Sequence, residues 1–248
     1  MLGIGQISTR FAELIRGALP YAIVNNDPDS SAFARLISYS EVQQALDAGH
    51  KWIQVKESDV SYKHFAISNS NTTVVGSYGA LIDGGTTDAA ITINHGADYC
   101  RIEGFRVQTD PAGGNDYHGV DIYGDYNTVA FCTVVDTDQD GFACAQTNSG
   151  AWNRFIGCTV IDCSRYAYAG WGEAMIVVGC LSLAQNSYAA GSGDNVFVGN
   201  FFKGGTVEHA SSGNMIIGNI VDASIVATSG NANFGTGSGT APGSNQVT

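Results

Sequence analysis

Between positions 70 and 220 hydrophobic residues come in short triplets, each closed by a glycine or another turn-forming position. They read Thr73-Val74-Val75-Gly76, Arg101-Ile102-Glu103-Gly104, Val129-Ala130-Phe131, Phe155-Ile156-Gly157, Val177-Val178-Gly179, Phe197-Val198-Gly199 and Ile216-Ile217-Gly218. The last four glycines stand 22, 20 and 19 residues apart, and the earlier steps run 26 to 28. Recurrence at a period of about 20 to 50 residues marks a stacked repeat, and one turn of a parallel β-helix takes such a length. A second run follows each triplet after a polar turn: Ala90 to Ile93, Gly119 to Ile122, Gly141 to Cys144, Tyr166 to Ala169, Ser187 to Ala190, Thr206-Val207 and Ser224 to Ala227. Most alternate apolar with small or polar residues, as strands with one buried face do. The pattern predicts an all-β, single-stranded parallel β-helix solenoid of about seven coils, a rod on the order of 35 Å.

The residue after each triplet sharpens this. In order it is Ser77, Phe105, Cys132, Cys158, Cys180, Asn200 and Asn219. Three cysteines and then two asparagines at one repeat position predict vertical ladders of like side chains, one rung apart at roughly 4.8 Å.

Upstream of residue 50 the period changes. Ile7, Phe11, Leu14 and Ala18 share one helical face, which predicts an amphipathic helix. Arg10, Glu13 and Arg16 interrupt the apolar stretch and Pro20 follows it, so it reads as neither signal peptide nor membrane span. A second helix is expected from Ser40, with Ser40 as cap, Gln43 reaching back, Val42, Ala45 and Leu46 inward and Gly49 at its end. Such helices would cap the open end of the solenoid, whose edge could otherwise pair with another chain. The chain thus divides into a helical cap and attachment segment (1–50), a solenoid (51–230) and a Gly/Ser-rich tail (231–248), flexible or ordered by a partner.

Composition adds exclusions. The chain has 32 glycines, 4 prolines and a net charge of −12. Lys203 is the one Lys or Arg after Arg165, which argues against nucleic acid, since phosphate binding needs clustered cations. Six cysteines without CxxC spacing read as buried free thiols rather than disulfides or metal ligands, and hence as folding in a cytosol.

Asn71 to Gly76, Ile82 to Gly85 and Tyr99 to Val107, following a capping helix and a first strand, resemble the right-handed parallel β-helix superfamily. That superfamily includes pectate lyases, polygalacturonases and bacteriophage tailspikes. The resemblance covers residues 40–230 and lies in core and turn positions, so it speaks to fold rather than activity. In character the chain is closest to tailspike and tail-fibre proteins.

Candidate chemistry centres on acidic residues. Asp136, Asp138 and Asp140 with Gly141 match the first half of a calcium loop, but Thr147 stands where a bidentate glutamate belongs. Calcium is therefore a weak expectation, beside the reading of a solvated turn, and no other cofactor is implied. Asp110, Asp116, His118, Asp121 and Asp125 occupy the preceding coil. Paired carboxylates suit glycoside hydrolysis, and Asp121, Asp138 and Asp140 are the candidates. His118-Gly119 is all that matches polygalacturonases; Arg106, Arg154 and Arg165 are the arginines a lyase could use. Trp152, Tyr166, Tyr168, Trp171 and Tyr188 lie in adjacent coils. They could form a sugar-stacking platform or a coil-to-coil stack.

Three functions follow as expectations. The first is a virion tail protein, made in the host cytoplasm, that attaches to a host surface polysaccharide. It would assemble as a homotrimer, seamed by the Ala/Gly/Ser faces of 187–230, and meet other tail proteins through the N-terminal helix. The second is a polysaccharide depolymerase acting through the Asp cluster at 110–140, in the virion or secreted. The third is a structural protein with no glycan site.

Overall fold

A computed structural model describes residues 21–24, 38–77, 79–86, 89–110, 117–144, 151–171, 174–184, 188–190, 194–209, 214–227, 232–234 and 246–247. Side chains of 188–190, 204–209 and 221 onward lie outside that description.

The chain winds as a solenoid of parallel strands in three columns. The first column runs Ser38–Tyr39, Tyr21–Val24, Trp52–Val55, Thr73–Gly76, Arg101–Glu103, Thr128–Ala130, Arg154–Ile156, Ile176–Val178, Val196–Val198, Met215–Ile217 and Ala232–Phe234. The second begins at Tyr62–Lys63 and climbs through Leu81–Asp83, Arg106–Gln108, Thr133–Asp136, Thr159–Val160 and Leu181–Ser182. The third climbs through Phe65–Ile67, Ile91–Ile93, Val120–Ile122, Phe142–Cys144, Tyr168–Gly170 and Tyr188–Ala190. Phe201–His209 then joins the second and third columns in one strand, with a register shift between Lys203 and Thr206 where lower coils turn a corner. This coil has too few residues to spare any for that corner.

Each coil therefore has three strands where the sequence predicts two. The strand missed is the second, only two or three residues long in most coils, with one inward side chain each: Ile82, Val107, Val134, Val160 and Ser182, all buried. In the first column the inward set is Ile53, Val74, Ile102, Val129, Phe155, Val177, Phe197 and Ile216, and all are buried. Phe142 and Tyr168 stack inside at 5.4 Å and 11°.

The predicted cysteine and asparagine ladders form one buried column. Cys158 N–H donates to Cys180 Sγ (3.3 Å), Cys180 N–H to Asn200 Oδ1 (2.8 Å) and Asn200 N–H to Asn219 Oδ1 (2.9 Å). All six cysteines are free and buried; burial pushes the Cys132 thiol up to about 12. A second ladder, not foreseen from the sequence, precedes the first-column strands. Cys100 N–H donates to Asn127 Oδ1, Asn127 N–H to Asn153 Oδ1, Met175 N–H to Asn195 Oδ1 and Asn195 N–H to Asn214 Oδ1.

The N-terminal region differs from expectation. The predicted first helix, with Ile7, Phe11, Leu14 and Ala18, lies outside the described residues. Tyr21–Val24 pairs parallel with Trp52–Val55, so the first sheet extends upstream of residue 51. The one helix among the described residues is Val42–Asp47, six residues long, with Val42, Ala45 and Leu46 buried. Ser40 does not cap it: the N-cap is Glu41, which makes no capping bond. Glu41 Oε2 instead accepts from Lys63 N–H and Gln43 Oε1 from Ala66 N–H, on the edge strands of the second and third columns. The tail also departs from expectation, since Ala232–Phe234 pairs with Met215–Ile217 as a further rung. Among the described residues no helix is long and apolar enough to cross a membrane.

Two glycines separate strain from space. Gly199 has φ +64° and nothing within 4 Å of where a methyl group would stand, whereas a Cβ at Gly124 would land on the carbonyl oxygen of Ala97. Gly199→Ala is therefore expected to cost about 1 kcal/mol, from the left-handed backbone alone. Gly124→Ala should cost more, because backbone must move; denaturant midpoints of the two variants compare them.

Candidate functional site

The strongest polar constellation gathers where the chain enters the third column. His118, Asp140 and Tyr166 each stand two residues before a strand of that column, on successive rungs. Asp140 is fully buried. Arg165 grips it with both ends of the guanidinium, Nε donating to Oδ1 at 2.8 Å and Nη2 to Oδ2. Tyr166 N–H adds a bond to Oδ1 (3.1 Å), and His118 Nδ1 lies 3.3 Å from Oδ2. The Arg165 guanidinium lies over Tyr166 (5.7 Å) and Trp171 (5.6 Å), the geometry of cation–π contacts. Trp171 Nε1 is buried with no hydrogen-bond partner among the described residues.

Asp121 sits beside this group. It lies between the core residues Val120 and Ile122 and so points outward, yet it is 7% exposed. Ala143 and Ala169, the outward residues of the next two rungs, are also buried. The outer face of the third sheet is buried here, and Arg165, Tyr166 and Trp171 beside it are partly exposed.

The electrostatics follow from this packing. Burial raises the Asp121 pKa, despite the opposing His118 charge and the Tyr123 hydroxyl bond. Burial would raise Asp140 too, but Arg165 and His118 outweigh it and hold the carboxyl below the ordinary range. Burial opposes the charge on His118, while Asp140 and Asp121 overcome it and raise its pKa. A histidine with a raised folded pKa adds stability that is complete below about 6.5 and lost as pH rises through the folded value. The unfolding midpoint is therefore expected to fall over that limb, and His118→Gln to flatten it. Urea titrations at stepped pH measure both; a limb unchanged in the variant would assign it to another group.

The remaining predicted residues scatter. Tyr168 is a core residue, fully buried, its hydroxyl donating to Cys158 O at 2.9 Å, and so has no face for a sugar. Trp152 is exposed but sits at the opposite corner, before the first-column strand Arg154–Ile156. The Tyr188 side chain lies outside the described residues, as does Asp116. The Asp138 N–H donates to Thr109 Oγ1 (3.2 Å). Asp136 faces Asp162 and Asp110 rather than Asp140. Among the described residues no three His, Cys, Asp or Glu side chains converge as a metal site.

Another aromatic group is not evident from the sequence. Tyr99, Tyr126 and Trp152 occupy successive rungs in left-handed backbone (φ 57°, 58° and 60°), all exposed. Tyr99 and Tyr126 stack at 5.0 Å and 4°, spending one face of each ring on the other. Comparison with protein-family models, with curated proteins and with solved structures finds no match, and what stands is an all-β solenoid of parallel sheets with a buried cluster of charged side chains at its third column.

Proposed function

We propose that this solenoid, wound right-handed as β-crossover connections prefer, is a tailspike-type virion protein that attaches to a host surface polysaccharide. The single observation that carries the glycan reading is the rim of Arg165, Tyr166 and Trp171 around buried Asp140. Sugar rings offer apolar C–H faces and polar hydroxyls, and an aromatic rim with fixed donors answers both.

Trp171→Ala is expected to weaken binding to host capsular or lipopolysaccharide roughly tenfold or more, with the unfolding midpoint little changed. Isothermal titration of wild type and variant measures it. No binding by wild type to any host surface glycan would overturn the attachment reading and favour a structural protein.

The depolymerase reading has one observation in its favour. Asp121 and Asp140 have pKa values driven apart, the mark of an acid and its partner. Both Asp140 oxygens are engaged by Arg165, however, so it orients neighbours and Asp121 alone would act as acid. New reducing ends that vanish in Asp121→Asn would establish cleavage.

A further inference from the structure

The corner between the first and second columns carries an apolar surface in its upper half. On the first sheet Val178, Val198 and Ile217 point outward on successive rungs, with Ile176, Val196 and Met215 beside them. Across the corner, Leu181, Phe201 and Ile220 continue the surface on the second sheet. The corner itself is Gly179, Gly199 and Gly218, with nothing within 4 Å of where a side chain would begin. All nine side chains are at least partly exposed, and none is charged.

At the foot of this glycine column stands Phe131. It takes the rung between Gly104 and Gly157, keeps their left-handed backbone (φ 53°) and is 59% exposed. A bulky residue there is strained, and exposure denies it the burial that would offset the strain. Its ring reaches up over Gly157.

We propose that this corner is the contact face for a second copy of the same chain, with Phe131 and Phe201 as its anchors. At about 4.8 Å between rungs and about 6.8 Å between alternate residues, nine side chains project roughly 300 Å² of sheet. That is the size of an apolar core, to which a polar rim adds the rest of the about 800 Å² each partner gives a standard interface. The charge argument selects a copy over another partner. Chains of net charge −12 repel one another, so they can meet only where charge is absent. A charged partner would find nothing on the nine side chains to pair with, whereas the same array on a copy matches it. This inference does not rest on the glycan reading. It also moves the seam from the Ala/Gly/Ser faces of 187–230 to the opposite corner; the expected trimer remains the stoichiometry to be read from mass.

Sedimentation equilibrium of the full chain at micromolar concentration tests it, with Val198→Lys, Phe201→Lys and the milder Val198→Thr as variants and Thr92→Lys, on the outer face of the third sheet, as control. Wild type and control should exceed the monomer mass. Each lysine variant should raise the dissociation constant roughly a hundredfold and Val198→Thr roughly tenfold, with circular dichroism unchanged. Because Val198→Thr keeps a β-branched strand residue, its loss of association would not be misfolding. A monomeric wild type, or variants that assemble as wild type does, would overturn the proposal.

Discussion

Asp140→Ala is expected to lower the stability of the fold by about 3 kcal/mol, the low end for breaking a buried ion pair. Asp140 joins three rungs: Tyr166 N–H and the Arg165 guanidinium from above, His118 from below. Truncation leaves the Tyr166 amide without its acceptor. Arg165, a third exposed, can turn to water, which keeps the cost from rising further. The reciprocal change tells the partners apart. Arg165→Met leaves a wholly buried carboxylate with only the His118 ring and the Tyr166 N–H beside it, so burial should dominate and the Asp140 pKa should rise. In wild type that pKa is depressed, and its stability is lost as pH falls through the folded value. In Arg165→Met the sign reverses: a carboxyl with a raised folded pKa costs stability as pH climbs above about 4. Denaturant midpoints between pH 3 and 6 should thus rise with pH in wild type and fall in the variant, relative to a common background. Parallel curves would mean that Arg165 does not set the Asp140 charge.

The wild-type cluster was half legible in the sequence. Asp121 and Asp140 stand at fixed offsets from third-column strands, so alignment of the coils brings them together. That Arg165 folds back one rung to hold Asp140 was not legible, because adjacent columns say nothing about which way a long side chain turns. Tyr168 misleads for a different reason. Tyr166, Ala167, Tyr168 and Ala169 look like one alternating strand, but the strand begins at Tyr168 and Tyr166 lies in the corner before it. Period two does not survive a corner, so both Ala167 and Tyr168 turn inward.

Fold-level legibility followed the same physics. Cys132, Cys158 and Cys180 could be read as a column because identical side chains at one offset advertise their register. The ladder of Asn127, Asn153, Asn195 and Asn214 was equally present one residue before the first-column strands, but Cys100 and Met175 occupy two of its rungs and break the visible identity. Strands such as Thr159–Val160 and Leu181–Ser182 are too short for any periodicity; only pairing to the rungs above and below defines them.

Those ladders predict the other large effect. Asn200→Ala is expected to cost about 3 kcal/mol, since it leaves the buried Cys180 N–H without its acceptor, at about 1 to 3 kcal/mol, and opens a small void. The Asn200 Oδ1 accepts from Cys180 N–H (2.8 Å), and its Nδ2 donates to Val177 O (3.0 Å) and to Asn219 Oδ1 (2.8 Å). Only an amide offers an acceptor downward and donors sideways from one short side chain. Asn200→Asp separates the two halves of that role: it keeps the acceptor for Cys180 but loses the donors and buries a charge against Asn219 Oδ1. It should therefore be no better than alanine at pH 7, and recover stability as pH falls and the carboxyl becomes a donor. Chemical denaturation at pH 7 and pH 4 reads both variants. If alanine cost under about 1 kcal/mol, neighbouring groups would be resatisfying the ladder, and the column would be packing rather than a hydrogen-bonded spine. Cys180, one rung below, already fills the same slot with a weak acceptor, so the rungs above it carry the stronger bonds and the steeper penalty.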